Sequence, residues 1–222
     1  MSSISDLTPG CIGFGPIKGA AGALVNAGQL LLGEGFHVGD LDIRHVFVVT
    51  NVSTATPVYP EPGNPYLSIL AVEAMPAGAR HIPIEDRWTP EYAYARLPED
   101  YPGQAEDAAV VAQAMIGTPY SFLSYAALAA WRFGLATPRL EKWIGRRRPA
   151  VELATNQPVL KARGEPVEVA LPAEAICSVL ADQAWTLAGK KVMQGVPHQC
   201  VTPGALAKRL LWMPDVRWMV PE

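Results

Sequence analysis

Three side chains of this sequence have the chemistry of a nucleophilic hydrolase: Cys177, His45 and Glu73. A cysteine attacks a carbonyl as its thiolate, and an imidazole can hold that thiolate as an ion pair and later protonate the leaving group. A carboxylate that accepts the second ring N–H fixes the imidazole tautomer. The three residues therefore predict attack on an amide or ester carbonyl, with Cys177 as nucleophile, His45 as base and Glu73 as the group that orients the base.

Each of these residues also has a purely structural interpretation. A cysteine in an apolar helix is most often a small buried side chain, and a histidine at the start of a strand is often only hydrogen-bonded there. A glutamate near a strand end can reach water. The remaining histidines, His37, His81 and His198, have weaker contexts for catalysis. The catalytic interpretation depends on a fold that brings the three groups together.

The predicted position of the cysteine favours its reactivity. Residues 172–187 carry apolar side chains at the spacing of a helix with one buried face, and Cys177 lies in the first turns. A helix N-terminus carries about half a positive charge, which favours an anion such as a thiolate. A backbone N–H at Cys177 would also be in position to stabilise an oxyanion.

The histidine and the glutamate are predicted on two consecutive strands. Residues 43–52, IRHVFVVTNV, are rich in β-branched side chains, and His45 lies near their start. Residues 66–74, YLSILAVEA, place Glu73 in an apolar strand, where burial without a partner would be costly. Because alternate residues of a strand share a face, neighbouring strands could bring the carboxylate to the imidazole.

Turn residues and apolar periodicity divide the rest of the chain into short elements. The sequence predicts further strands at 11–14, 80–84, 92–97 and 216–220, and helices at 20–32, 104–116, 121–135 and 205–211. The proline-rich stretch 53–65 is predicted to be a loop. Residues from about 136 to 171 are predicted to form an extended insertion within a single domain, 1–222, of the α+β class.

Composition narrows the possible functions. Half of the 222 residues are apolar and 18% are charged, which is typical of a globular chain. The net charge of −3, without basic residues alternating with aromatic ones, argues against nucleic acid as a partner. Three cysteines cannot all pair within one chain, so at least one free thiol is expected. No motif binds a cofactor or a metal ion, and neither is expected.

Location is also predicted from the sequence. The opening residues lack the basic and apolar regions of a signal peptide, so the protein is expected to be cytoplasmic when synthesised. Residues 19–32 are apolar but shorter than the ~20 residues that span a bilayer, so no transmembrane segment is predicted.

Short motifs in a particular order resemble a known family. They are His45-Val-Phe-Val-Val, Leu70-Ala-Val-Glu73-Ala, Gly117-Thr-Pro-Tyr120 and Ile176-Cys177-Ser178-x-Leu180, flanked by Leu7-Thr-Pro-Gly10-Cys-Ile-Gly-Phe14 and Val201-Thr-Pro-Gly204-x-Leu206. This order is similar to the circularly permuted NlpC-like papain-fold cysteine hydrolases of the YiiX-type branch. The resemblance implies a papain-like domain, with a central antiparallel sheet packed against helices and the histidine strand before the cysteine helix.

The chain departs from that family pattern at two positions and leaves one role open. Cys11 stands where the family often has aspartate, and Phe47 replaces a glycine two residues after the histidine. Tyr120 has two interpretations: a hydrogen-bond donor near the thiolate that contributes to an oxyanion or substrate site, or a packing residue.

The resemblance implies two substrate classes, the stem peptides of peptidoglycan and acyl-lipids, and the first is preferred. Delivery on a phage particle, as a virion-associated lysin, would bring such an enzyme to the cell wall without a signal peptide. The alternative from another class is a non-catalytic structural or assembly module of a virion or envelope, in which the same fold survives without activity.

Overall fold

A six-stranded antiparallel sheet is the centre of the structure. The computed structural model describes residues 2–17, 37–38, 41–53, 68–120, 176–196, 198 and 201–221. The strands are β1 (Ile12–Gly15), β2 (His37–Val38), β3 (Leu41–Asp42), β4 (His45–Ser53), β5 (Ser68–Met75), β6 (Gly78–Pro83), β7 (Ala93–Arg96) and β8 (Arg217–Met219). The helices are α1 (Gln104–Ala114), α2 (Cys177–Leu187) and α3 (Pro203–Leu211), with short 3₁₀ turns at Ile4–Asp6 and Glu85–Arg87.

The strand order places the two strands of the candidate site side by side. It runs β6-β5-β4-β1-β7-β8, while β2 and β3 form a separate two-stranded hairpin. β4, β5 and β6 follow one another along the chain as an antiparallel meander. β1 then pairs with β4 on one side and β7 on the other, so the start of the chain completes the middle of the sheet.

The register between the strands aligns polar side chains at one end of the sheet. Phe47 on β4 lies opposite Glu73 on β5, and Glu73 lies opposite Arg80 on β6. His45 is two residues before Phe47 and is therefore a diagonal neighbour of Glu73. A register shift between Val49 and Asn51 falls beyond this region, toward the other end of β4.

A glycine on β1 makes room for an aromatic ring on β4. Gly13 is paired with Phe47, and a Cβ at Gly13 would overlap the Phe47 ring. Phe47 is fully buried, and its ring packs edge-on against Tyr94. The glycine is required here because the ring covers the β1 backbone, where any side chain would collide with it.

The two faces of the sheet carry different apolar clusters. The cluster on the helix face includes Val46 and Val72 together with residues of all three described helices. The opposite face carries a smaller cluster that includes Phe47, Val49 and Tyr94. Alternation along β4 sends consecutive residues to opposite faces, as the predicted period-two strand requires.

The predicted α+β class with an antiparallel sheet is confirmed. Six predicted strands agree with observed ones within one to two residues: 11–14 with β1, 43–52 with β4, 66–74 with β5, 80–84 with β6, 92–97 with β7 and 216–220 with β8. Two predicted helices agree equally well: 104–116 with α1 and 205–211 with α3. The hairpin of β2 and β3 was not predicted, because its glycine-rich sequence resembles a plain turn.

One predicted boundary is wrong. The helix expected from residue 172 begins at Cys177, because Ile176 has an extended backbone with φ −98° and ψ 163°. Several predicted segments lie outside the described residues: the helices 20–32 and 121–135, most of the loop 53–65 and the insertion 136–171. In the described ranges, no helix combines the length and apolar character needed to cross a membrane.

Candidate active site

His45 and Glu73 form a buried hydrogen-bonded pair. The His45 Nε2 atom and the Glu73 Oε2 atom are 2.7 Å apart. His45 is 1% exposed and Glu73 is fully buried. Because a carboxylate accepts and cannot donate, Nε2 carries the proton and donates it to Glu73.

Adjacent strands bring the pair together. His45 opens β4 and Glu73 lies near the end of β5, and these two strands are antiparallel neighbours. The imidazole ring also lies beside the ring of Phe47, with centroids 6.2 Å apart. Phe47 therefore forms one wall beside the imidazole.

Glu73 has two arginine partners in addition to His45. Arg80 donates to the Oε1 atom from Nε at 3.0 Å and from Nη2 at 2.8 Å. Arg87 donates from Nη2 to the Oε2 atom at the longer distance of 3.5 Å. The buried carboxylate is thus fully hydrogen-bonded, which is the condition for burying its charge.

These contacts determine the charge of the carboxylate. Burial alone would raise the pKa of Glu73, but the hydrogen bond and charge of His45, with Arg80 and Arg87, lower the pKa to about 2. Glu73 is therefore ionised at neutral pH.

The pKa of the His45 imidazole is shifted in the opposite direction. Burial alone would lower the pKa of His45, but the side chain of Cys177 and the carboxylate of Glu73 outweigh burial and raise the pKa to about 9. His45 is therefore an imidazolium at neutral pH, and it has a proton to give to a leaving group.

Cys177 lies at the first position of α2. Its N-cap residue, Ile176, makes no side-chain capping bond, and the first i to i−4 bond of the helix runs from Leu180 N to Ile176 O at 2.9 Å. The N–H groups at the start of a helix have no partner within the helix. They favour an anionic sulfur and could donate to an oxyanion that forms beside it.

Glu73 leaves the second ring nitrogen of His45 open. Since Nε2 binds Glu73, Nδ1 is the nitrogen that remains for Cys177. Among the described residues Nδ1 has no hydrogen-bond partner of standard geometry, although Cys177 is close enough to raise the pKa of the ring. The influence of Cys177 on His45 is therefore electrostatic in this structure.

Side-chain bonds fix the helix that carries Cys177. Ser178 donates to the carbonyl of Val201 at 2.6 Å, close to the start of α3. The indole of Trp185 donates to the carbonyl of Gly10 at 3.0 Å, just before β1. The first and last parts of the chain thus hold α2 in position against the sheet.

Tyr120 and Cys11 have packing contacts in the structure. Tyr120 is partly buried against the cluster on the helix face, which contains Cys177. Cys11 is a buried free thiol whose sulfur is 3.5 Å from the Thr8 hydroxyl. Burial raises the pKa of Cys11, which disfavours the reactive thiolate form of this side chain.

The sequence analysis missed Arg80 and Arg87. A signal for Arg80 was present, because the turn at Met75 to Gly78 places residues 73 and 80 opposite each other in a hairpin. Arg87 follows β6 in a 3₁₀ turn, and no local pattern predicts that its side chain reaches back to Glu73.

His198 and His81 have other surroundings. His198 is hydrogen-bonded through Nδ1 to the buried Asp182, and His81 is exposed on β6. Within the part of the chain that the structure describes, no three His, Cys, Asp or Glu side chains are grouped so that they could hold a metal ion.

Comparisons with known proteins give no family for this chain. No protein-family model matches it. A search of curated proteins finds no match either. The features that bear on function are the positions of Cys177, His45 and Glu73 and the motif resemblance.

Proposed function

We propose that this protein is a cysteine hydrolase that cleaves an amide bond through a thioester intermediate. The observation that carries the proposal is the buried His45–Glu73 pair, whose imidazole is also influenced by a cysteine at a helix N-terminus. A carboxylate on one ring nitrogen and a thiol at the other is the arrangement that nucleophilic cysteine catalysis requires.

The proposed reaction has two steps. The Cys177 thiolate attacks the carbonyl carbon, a carbon–sulfur bond forms, and the protonated His45 gives its proton to the leaving amine as the carbon–nitrogen bond breaks. Water then attacks the thioester, His45 takes up a proton from it, and the thiolate leaves as the acid product forms. Backbone N–H groups at the start of α2 support the oxyanion in both steps.

We propose a peptide of peptidoglycan as the substrate. The support for it is the order of motifs similar to the NlpC-like papain fold, with His45 before Cys177. Acyl-lipid esters are the alternative substrate of the same chemistry, because a thiolate attacks both kinds of carbonyl. A panel with muropeptides in one arm and acyl esters in the other separates the two.

The test of the proposed function is Cys177→Ser. A serine hydroxyl is not ionised at neutral pH, so we expect turnover to fall by about 1,000-fold or more while the melting temperature changes little. Cys11→Ser and Cys200→Ser are the matched controls and should retain turnover. Equal rates for wild type and Cys177→Ser on every substrate would contradict the proposal.

A second candidate, a non-catalytic assembly module, is favoured by the burial of the site. Cys177 is only 2% exposed, as expected for a cysteine that packs as a small apolar side chain. Alkylation by iodoacetamide distinguishes the two. A catalytic Cys177 reacts rapidly below neutral pH and the reaction depends on His45, whereas a packing cysteine reacts slowly in both wild type and His45→Gln.

A further inference from the structure

The carboxylate of Glu73 has more partners than the orientation of one histidine requires. Its Oε1 atom accepts two hydrogen bonds from Arg80, and its Oε2 atom accepts from His45 and Arg87. A carboxylate offers about four acceptor positions, so the described donors fill all of them. Two of the three donor side chains, Arg80 and Arg87, are permanently charged.

We propose that Arg80 and Arg87 are positioning residues that act through Glu73: they hold its carboxylate ionised and turned so that Oε2 faces His45. The inference rests on the proposed function, because it gives the two arginines a part in the same site. Neither arginine is assigned a contact with the substrate.

Arg80 determines which carboxylate oxygen remains for His45. It lies directly opposite Glu73 in the β5–β6 ladder, and both of its bonds go to Oε1. With Oε1 held, the carboxylate cannot rotate without breaking two charge-assisted hydrogen bonds. Its side chain is 55% exposed, so this partner reaches the buried site from the edge of the sheet.

Arg87 is held in place by two tyrosines. Its Nη1 atom donates to the Tyr92 hydroxyl at 2.7 Å, and its guanidinium carbon lies 5.6 Å from the centre of the Tyr92 ring. Its backbone carbonyl accepts from the Tyr94 hydroxyl, also at 2.7 Å. These contacts hold the Arg87 guanidinium independently of Glu73. Less side-chain entropy is therefore lost when Arg87 donates to the Glu73 carboxylate.

The charges around Glu73 explain why two cations are useful. Glu73 on β5 faces His45 from β4, Arg80 from β6 and Arg87 from the 3₁₀ turn, while Cys177 from α2 raises the pKa of the imidazole. A buried glutamate with a histidine alone could take the proton from the ring, leaving both groups neutral. Two guanidinium groups disfavour a protonated Glu73, so the proton stays on His45.

The first arm of the test needs no substrate. The ¹³C carboxyl signal of Glu73 is followed by NMR as pH is lowered in wild type, Arg80→Gln, Arg80→Lys, Arg87→Gln and the control Arg217→Gln. We expect the wild-type signal to remain that of the ionised form down to about pH 3, and the midpoint in Arg80→Gln to rise by about one unit or more. Arg217 is exposed on β8, at the other edge of the sheet, so its variant should match wild type.

The second arm measures kcat and KM on the substrate that wild type turns over. We expect Arg80→Gln to lower kcat by about 10-fold with little change in KM, and Arg80→Lys to recover part of the loss. A Glu73 midpoint in Arg80→Gln and Arg87→Gln equal to that of wild type, or a change in KM alone, would overturn the inference. Failure of the proposed function is a different result, namely turnover that persists in Cys177→Ser.

Discussion

At the scale of single residues, the site depends on the charge of Glu73 as well as on its shape. The carboxylate receives a hydrogen bond from His45 at 2.7 Å and contributes to raising the pKa of that ring. A glutamine would keep the size and one acceptor oxygen but would remove the charge. The substitution therefore separates electrostatic support of the imidazolium from simple packing.

We expect Glu73→Gln to lower kcat by about 100-fold or more, since loss of the carboxylate in a comparable triad costs still more. The pKa of His45 should fall, because one of the groups that raises it is gone. The pH profile of kcat/KM reports this shift. Glu106→Gln, at an exposed position of α1, is the control. A profile unchanged from wild type would show that Glu73 does not act on the imidazole.

At the scale of elements, the contact between β1 and β4 positions the histidine strand. Phe47 covers Gly13 and its ring is also a neighbour of the His45 ring. Any side chain at Gly13 would displace the Phe47 ring and would disturb the imidazole at the same time. The position of the Phe47 ring, and with it that of the His45 ring, therefore depends on the absence of a side chain at Gly13.

We expect Gly13→Ala to lower the free energy of unfolding by about 1–3 kcal/mol through overpacking. The same change should cost less in a Phe47→Leu background, because a smaller and more flexible side chain can move aside. Urea denaturation of the two single variants and the double variant measures this coupling. Strictly additive effects would show that the Phe47 ring is not what the new methyl group meets.

At the scale of the whole molecule, the buried pair makes stability depend on pH. His45 has a raised pKa, so its contribution to stability is complete below its ordinary value of 6.5 and is lost as pH rises through about 9. Glu73 has a lowered pKa, so its contribution is complete above 4.5 and is lost as pH falls through about 2. The pair stabilises the fold most fully between these ordinary values.

We expect the stability difference between wild type and His45→Gln to shrink as pH rises from 6 to 9.5, by an amount on the order of 3 kcal/mol. Urea denaturation at several pH values measures this difference. Titrating groups that do not interact with His45 are common to both proteins and cancel in the comparison. A difference that stays constant over the range would contradict a raised pKa for His45.

The sequence by itself determined the strands of the six-stranded sheet and the pairing of His45 with Glu73. β-branched residues and alternation predicted the strands that became β4 and β5, and the buried charge of Glu73 indicated a partner on its neighbour. Their pairing follows from local properties, because two strands that are consecutive in the chain usually lie side by side. The observed His45–Glu73 hydrogen bond agrees with that prediction.

Only the tertiary structure decided how the rest of the chain meets this pair. Local patterns did not predict three features of the structure: α2 starts at Cys177, β1 lies between β4 and β7, and Arg87 reaches Glu73. Each depends on contacts between segments far apart in the sequence or on the direction of one long side chain. Periodicity and turn residues describe how a segment prefers to fold, whereas packing of distant segments selects the side chains that finally touch.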